Sequence, residues 1–334
     1  MTKTAISFAE TTKSETQDDC LSDALRTMRV SGNLLLREAY AAPWAISIPN
    51  GEHLRALLRA GAGTRVVAFH FVERGQLEIL LKNGDETTLE TGELAICFGG
   101  AAHRISMGPN PHVLPVESLL TGGENIFRPT EKSLARSTSL ICGVFLLHDT
   151  HLNPLFTALP PLMQASASRP NGFHNLHAVA NLISGELSQP SLGSRYRVER
   201  LLELLCAEAI RSHLATHAHL EAGWFKGLKD ATVGRAIAMI HAHPGETWSV
   251  ERLADGVAMS PSRFAARFAS ALGESPMAYV AKWRMNVAGR LLDRTQRGIN
   301  DIAADVGYES LAAFNRAFKR HIGVPPAAWR ARDR

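Results

Sequence analysis

No apolar run in the 334 residues approaches the roughly 18 needed to cross a bilayer as a helix, and the opening stretch MTKTAISFAETTKSETQDDC lacks the apolar centre of a signal peptide. Neither membrane insertion nor export is expected, so the expected compartment is the cytoplasm. Cysteine is scarce: Cys20, Cys97, Cys142 and Cys206 are scattered, with neither zinc-ligand spacing nor the density of a secreted disulfide framework. Aromatics make up only 7% of the chain, and 36 Lys and Arg against 32 Asp and Glu leave a net charge of +4. No nucleophile–base pair or complete metal triad stands out, so neither catalysis nor a cofactor is expected. What is present is a length that suits two domains, with 45% apolar residues to build both cores.

The informative feature is a pattern written twice in the last hundred residues. In WSVERLADGVAMSPSRFAARFASALGESP, Ser249 can cap a helix whose Leu253, Ala254 and Val257 share a face. After a short turn Ser260 caps a second helix with Pro261 in its first turn, where a missing N–H costs nothing, and Phe264 and Phe268 point inward. INDIAADVGYESLAAFNRAFKRHIGVPP repeats this, with Asn300 as cap, Ile302, Ala303 and Val306 inward, Gly307 in the turn, Ser310 as cap, then Phe314 and Phe318. The second helices match at an offset of 50, Gly273 with Gly323 and Pro276 with Pro326, whereas the first helices match at 49. A connecting helix spans Met277 to Asp293. Amphipathic helices with Gly and Pro stops occur in many domains, but a duplicated helix-turn-helix with this spacing points to two DNA readers.

These two segments resemble the DNA-binding domain of the AraC/XylS family of transcription regulators, over about residues 228 to 332. The resemblance implies a seven-helix unit whose two recognition helices enter adjacent major grooves of double-stranded promoter DNA. It places Ser262, Arg263, Ala266 and Arg267 of the first helix, and Leu311, Ala312, Asn315 and Arg316 of the second, toward the bases. Arg can read guanine and Asn adenine, while Ala265, Ala266 and Ala312 offer only methyl contacts. Each Arg is equally a candidate phosphate contact. Lys282, Arg284, Arg290, Lys319, Arg320 and Arg330 are further phosphate candidates. Residues 228–334 hold 16 Lys and Arg against 10 Asp and Glu, a balance of +6, and residues 1–227 hold 20 against 22, or −2.

Upstream, between about Leu34 and Leu147, WAISIP, RVVAFHFVERGQLEILL, ETTLETGELAICF, HRISM and STSLICGVFLL are short apolar or alternating segments separated by Gly, Asn and Pro. They read as antiparallel strands of a small barrel or jelly roll enclosing a cavity. APWAISIP, AFHFVERGQLEILL and LETGELAICFGGAAHRIS are similar to the cupin-type sensor domain found in one branch of the same family. That resemblance implies a small-molecule effector, with RNA polymerase as the downstream partner. The second cupin signature can be laid on Gly92, Phe98, Gly100 and His103, with Phe98 where the signature has proline. The first fits worse, because His70 is followed by Phe71 and Val72, with Glu73 three positions on. Only His70, Glu73 and His103 are available for a cupin metal, so no metal is expected, and His70, Cys97 and His103 stand as sensor candidates. A metal-dependent cupin enzyme and a purely architectural DNA binder are the alternatives from other classes.

A thiol switch is the competing sensor reading, with Cys97, close to His103 and Arg104, and Cys20 in a polar arm. From about Pro170 to Ala218 the period turns helical, with Leu176, Val179, Ala180 and Ile183 on one stripe and Val198, Leu201, Leu202, Leu205 and Ala209 on another. The helix from Ser194 to His217 is the candidate for homodimer contacts, or else packs on its own domain. His213 and His217, four apart, lack a third ligand. The expected fold class is therefore α+β multidomain. It comprises a polar arm and short helix (1–30), a cupin-like antiparallel β-barrel (31–150), a helical connector (151–222) and an all-α double helix-turn-helix (223–334).

Overall fold

The computed structural model describes residues 20–27, 29–61, 63–148, 153–166, 174–216 and 223–331. The arm before residue 20, the side chain of Cys20, and His217 lie outside the described residues. In chain order the elements begin with α1 (Cys20–Thr27), β1 (Arg29–Tyr40), β2 (Trp44–Ile48), α2 (Gly51–Leu57), β3 (Arg65–Arg74), β4 (Gln76–Leu81) and β5 (Glu86–Glu90). Next come β6 (Glu93–Ile96), β7 (His103–Met107), β8 (Val113–Pro115), α3 (Val116–Leu120), β9 (Thr138–His148), α4 (Pro154–Ala158), β10 (Met163–Ser166), α5 (His174–Ser188) and α6 (Ser194–Thr216). The remainder is helical: α7 (Trp224–Lys229), α8 (Ala231–Ala242), α9 (Val250–Gly256), α10 (Pro261–Leu272), α11 (Pro276–Arg294), α12 (Ile299–Asp305), α13 (Leu311–Ile322) and α14 (Pro326–Ala331). Among described residues, 29–148 and 156–216 make one compact unit, and 223–330 with 20–27 and 153–155 make the other.

The first unit holds two five-stranded sheets, ordered β1-β9-β3-β6-β10 and β5-β4-β7-β2-β8. The expected closed barrel is not formed. β1 and β10 are the edges of one sheet, and helix α6 packs against both strands. Gly32 makes that approach fit, since a Cβ there would lie 2.3 Å from Cβ of Leu202. The stripe Val198, Leu202, Leu205 and Ala209 is buried within this unit. β3 reads as an unbroken apolar run because both its faces are covered, and Val66 to Val72 are all buried. β4 alternates instead, burying Leu77, Ile79 and Leu81. Between the sheets lie Tyr40, Trp44, Ile46, Ala68, Val72, Ile79, Ile105 and Leu140. Tyr40 and Trp44 pack together in this core, their rings 4.9 Å apart.

In the second unit, α9–α10 and α12–α13 form the two helix-turn-helix pairs, joined by α11. Ser249 Oγ accepts from Arg252 N at 3.1 Å, and Ser310 Oγ accepts from Ala313 N at 3.4 Å. Ser260 occupies the N-cap of α10 without a side-chain bond, and α12 starts two residues earlier than expected, with Gly298 rather than Asn300 at its cap. Gly273 and Gly323 end the two recognition helices in the left-handed region, at φ 78° and 93°. The repeat extends to ring geometry: Phe264–Phe268 and Phe314–Phe318 both lie 5.6 Å apart. Around the second pair Met285, Ala288, Leu292, Ile302, Phe318 and Trp329 close a core. Helix α1 packs with α8 in this unit, and Asn153 Nδ2 donates to Ala24 O at 3.0 Å.

Candidate functional site

A recognition helix must bury one face and leave the other free. On α10 the buried residues are Phe264, Phe268 and Ala271, and on α13 Phe314, Ala317 and Phe318. Ser262, Arg263, Ala266 and Arg267 are exposed on the first, and Leu311, Ala312, Asn315, Arg316 and Lys319 on the second. Among the described residues, the side chains of Arg263, Asn315, Arg316 and Lys319 make no hydrogen bond or ion pair. Asn315, Arg316 and Lys319 line a shallow concavity with Ile299 and Pro325.

Arg267 differs. Its Nε lies 3.1 and 2.9 Å from the carboxylate oxygens of Asp230, the residue that caps α8 by accepting from Thr232 N and Val233 N. Burial would raise the Asp230 pKa, but hydrogen bonds from Val233, Arg267 and Thr232 and the Arg267 charge hold it below the usual carboxylate range.

Two of the phosphate candidates are committed elsewhere. Arg284 Nε donates to Pro244 O at 2.8 Å, Nη2 to Glu246 O at 2.7 Å and Nη1 to Gly307 O at 3.3 Å. It therefore ties the approach to the first helix-turn-helix to the turn of the second, and its Cζ sits 5.8 Å from the Tyr308 ring centre. Arg330 Nη2 donates to Arg297 O at 2.7 Å. Only a tertiary structure exposes these roles, because an Arg serving distant carbonyls carries no local sequence signal.

In the sheet unit three candidates converge. His70 on β3 and His103 on β7 come from opposite sheets, with their Nε2 atoms 2.8 Å apart. Cys97 Sγ lies 3.6 Å from His103 Nε2, and His103 Nδ1 is 3.0 Å from Ala101 O. Cys142, which is not among the sensor candidates, places Sγ 3.0 Å from His70 Nδ1. Burial, and for His70 the neighbouring His103, lowers both imidazole pKa values, so both rings are neutral near pH 7.

Glu73 does not join them. Successive strand residues point to opposite faces, so a residue three positions from His70 faces away. Glu73 instead accepts from Arg37 Nε at 3.0 Å and Nη2 at 2.8 Å, and from Ser184 Oγ at 2.7 Å and Ser139 Oγ at 3.1 Å. The cupin triad with Glu73 is thereby excluded in this geometry. Cys97 is 2% exposed, and burial pushes its thiol up to about 12, the reverse of a reactive cysteine's setting. A larger concavity of about 530 Å³ lies outside the sheets, lined by Asn33, Leu35, Glu186, Arg195, Glu199 and Leu202.

The family model described as Cupin matches residues 19–215, and that described as Helix-turn-helix domain matches residues 253–332. A putative AraC-like transcription regulator of Streptomyces lividans is 31% identical, covering 84% of this chain and 93% of its own length. The HTH-type transcriptional regulator AlkR of Acinetobacter baylyi is also 31% identical, over 78% of this chain and 86% of its own. Among solved structures, the DNA-binding domain of AdpA in complex with a target DNA is 33% identical, with a TM-score of 0.28, covering 29% of this chain and 86% of that one. With a duplicated DNA reader following a two-sheet cupin domain, the chain belongs to the AraC-like family of DNA-binding transcription regulators.

Proposed function

We propose that this regulator binds its promoter sequence-specifically through both recognition helices, and that a small molecule bound by the cupin-like domain controls that binding. The observation that carries the reading is the pair of matched helices, each with inward Phe pairs and outward, uncommitted Arg or Asn side chains. Arg263, Asn315 and Arg316 are the base readers in this reading, Ser262, Ala266, Leu311 and Ala312 shape the contact, and Lys319 meets phosphate. Arg267 acts through Asp230 as a brace of α10 on α8. The concavity beside β1 and α6 falls in the roughly 300–1,000 Å³ range of small-molecule sites, which supports an effector there.

The protein acts in the cytoplasm, on RNA polymerase at the promoter, and has no catalytic role; its named relatives are regulators, and Glu73 is turned away from the histidines. Homodimerisation through α6 is supported by Tyr196 and Leu204, exposed apolar side chains on that helix.

The test is the anisotropy-measured affinity of purified protein for its own upstream DNA against scrambled DNA at one fixed salt. A preference of about 10³-fold or more is expected of a specific regulator. Equal affinities with and without candidate effectors would favour the architectural reading. A response to mild oxidant that Cys97→Ser abolishes would restore the thiol switch.

A further inference from the structure

The buried cluster at the sheet interface has no part in DNA reading. We propose that His70, Cys97 and His103 form a metal site for a thiophilic d10 cation, taking Zn²⁺ through Nε2 of His70, Nε2 of His103 and Sγ of Cys97. The three residues are buried, and their ligand atoms all lie within 4.8 Å of one another. This donor set is not the one the cupin signature implies, since a thiolate from β6's end replaces the carboxylate that points away.

The three donors can occupy three corners of a tetrahedral ion after a small adjustment. With Zn–N about 2.0–2.1 Å and Zn–S about 2.3 Å, ligands sit roughly 3.5 Å apart for N and S and roughly 3.3 Å for two N atoms. The 3.6 Å between Cys97 Sγ and His103 Nε2 already matches, and the imidazoles, 2.8 Å apart, need to part by roughly half an ångström. Each imidazole is also held from behind, as metal-bound histidines are. His103 donates its Nδ1 proton to Ala101 O, which leaves the Nε2 lone pair facing the site. Cys142 Sγ stands at Nδ1 of His70, on the far side of that ring from the proposed ion, and so orients the ring rather than ligating.

Without the ion, two neutral rings with Nε2 atoms 2.8 Å apart require a proton between them, donated by His70 to His103. On binding, that proton moves to Nδ1 of His70, where Cys142 Sγ accepts it, and the Cys97 thiol proton is released. One proton leaves per ion bound, and no electron is transferred. Because His70 and Cys97 belong to one sheet's side and His103 to the other sheet, the ion would pin the two sheets together. Gly99 and Ala101, in the turn linking Cys97 to His103, are exposed.

The experiment uses the full-length chain without DNA, stripped with chelator and titrated first with Zn²⁺ and then with Co²⁺ as a spectroscopic replacement. We expect one ion per chain, a thiolate-to-cobalt charge-transfer band, release of one proton, and a higher melting temperature. Cys97→Ser should abolish the band while circular dichroism stays native. Cys142→Ser should keep the band and weaken binding about 10–100-fold, the cost typical of losing an outer-shell partner. Failure of the wild-type chain to hold a stoichiometric ion, or a band that survives Cys97→Ser, overturns the site. Neither result bears on promoter binding, which the DNA titration above decides separately.

Discussion

At the scale of single residues, the arginines of the helical unit divide by what their guanidinium groups already hold. Arg263 and Arg316 are exposed and hold no partner among the described residues, while Arg267 is paired with Asp230 through two close contacts. Arg263→Ala or Arg316→Ala should therefore weaken binding to the cognate site by about 1–3 kcal/mol and leave random-sequence binding and thermal stability nearly unchanged. Arg267→Ala should instead lower the melting temperature and weaken cognate and random DNA together, which equilibrium titrations and a thermal melt will separate. His241 supplies a second residue-level prediction. It stacks 3.5 Å from the Trp283 ring, and its Nε2 lies 2.8 Å from Tyr279 Oη. Burial, with the Arg290 charge adding to it, lowers its pKa from 6.5 to about 3. The unfolded chain then takes up a proton below about 6.5 that the folded unit refuses until about 3, so stability is full above 6.5 and falls as pH drops through that window. Between pH 7 and pH 5 the loss should be about 2 kcal/mol in denaturant titrations. His241→Gln should flatten that part of the pH dependence, and an unchanged slope would show that other groups set it.

At the scale of elements, the two helix-turn-helix units are legible in sequence because caps, inward aromatics and Gly stops recur at fixed offsets, and the structure repeats even the Phe–Phe spacing. What the sequence obscures lies between elements. The same turn position holds Ala258 in the first unit and Gly307 in the second, both left-handed at φ 55° and φ 81°. Their surroundings differ, since a Cβ on Gly307 would meet Arg284 Nη2 and Gly245 O, each at 2.7 Å. Gly307→Ala should therefore cost more than the roughly 1 kcal/mol of the backbone conformation alone, whereas Ala258→Gly should be near neutral. Comparing the two variants by chemical denaturation isolates the contribution of the Arg284 clamp; equal effects would refute it. In the sheet unit the strands were readable from alternation and turn residues, but barrel closure was not, because pairing between strands distant in sequence is set by tertiary packing and not by a local pattern. Strand periodicity alone does separate Glu73 from His70, as an i, i+3 pair on a strand faces opposite ways. The proximity of Cys142 to His70 depends on β3–β9 register, where the two residues are partners, and no local pattern encodes that.

At the scale of the whole molecule, charge and connectivity divide differently. The positive balance is confined to the last third, with +6 over residues 228–334 against −2 before it, yet the helical unit also recruits α1 and residues 153–155 from far upstream. A composition shift could locate the charged boundary near residue 222, but it could not reveal that Ala24 is fully buried in the same unit as α8. Charge still makes the more general prediction, because DNA affinity should fall log-linearly with salt, with a slope near 0.9 per phosphate contacted. Formal charge overstates that slope where cations are already spent: Arg284 and Arg330 serve backbone carbonyls, and Lys282 lies 3.5 Å from Glu274. Lys319 is exposed at the rim of α13's concavity with no such partner. Lys319→Ala should thus reduce the slope of log affinity against log salt by about 0.9 on cognate and random DNA alike, with Lys282→Ala changing it less. Should the Lys282 variant show the larger change, phosphate contact would run along α11 rather than α13, and the orientation of the second recognition helix on DNA would have to be reassigned.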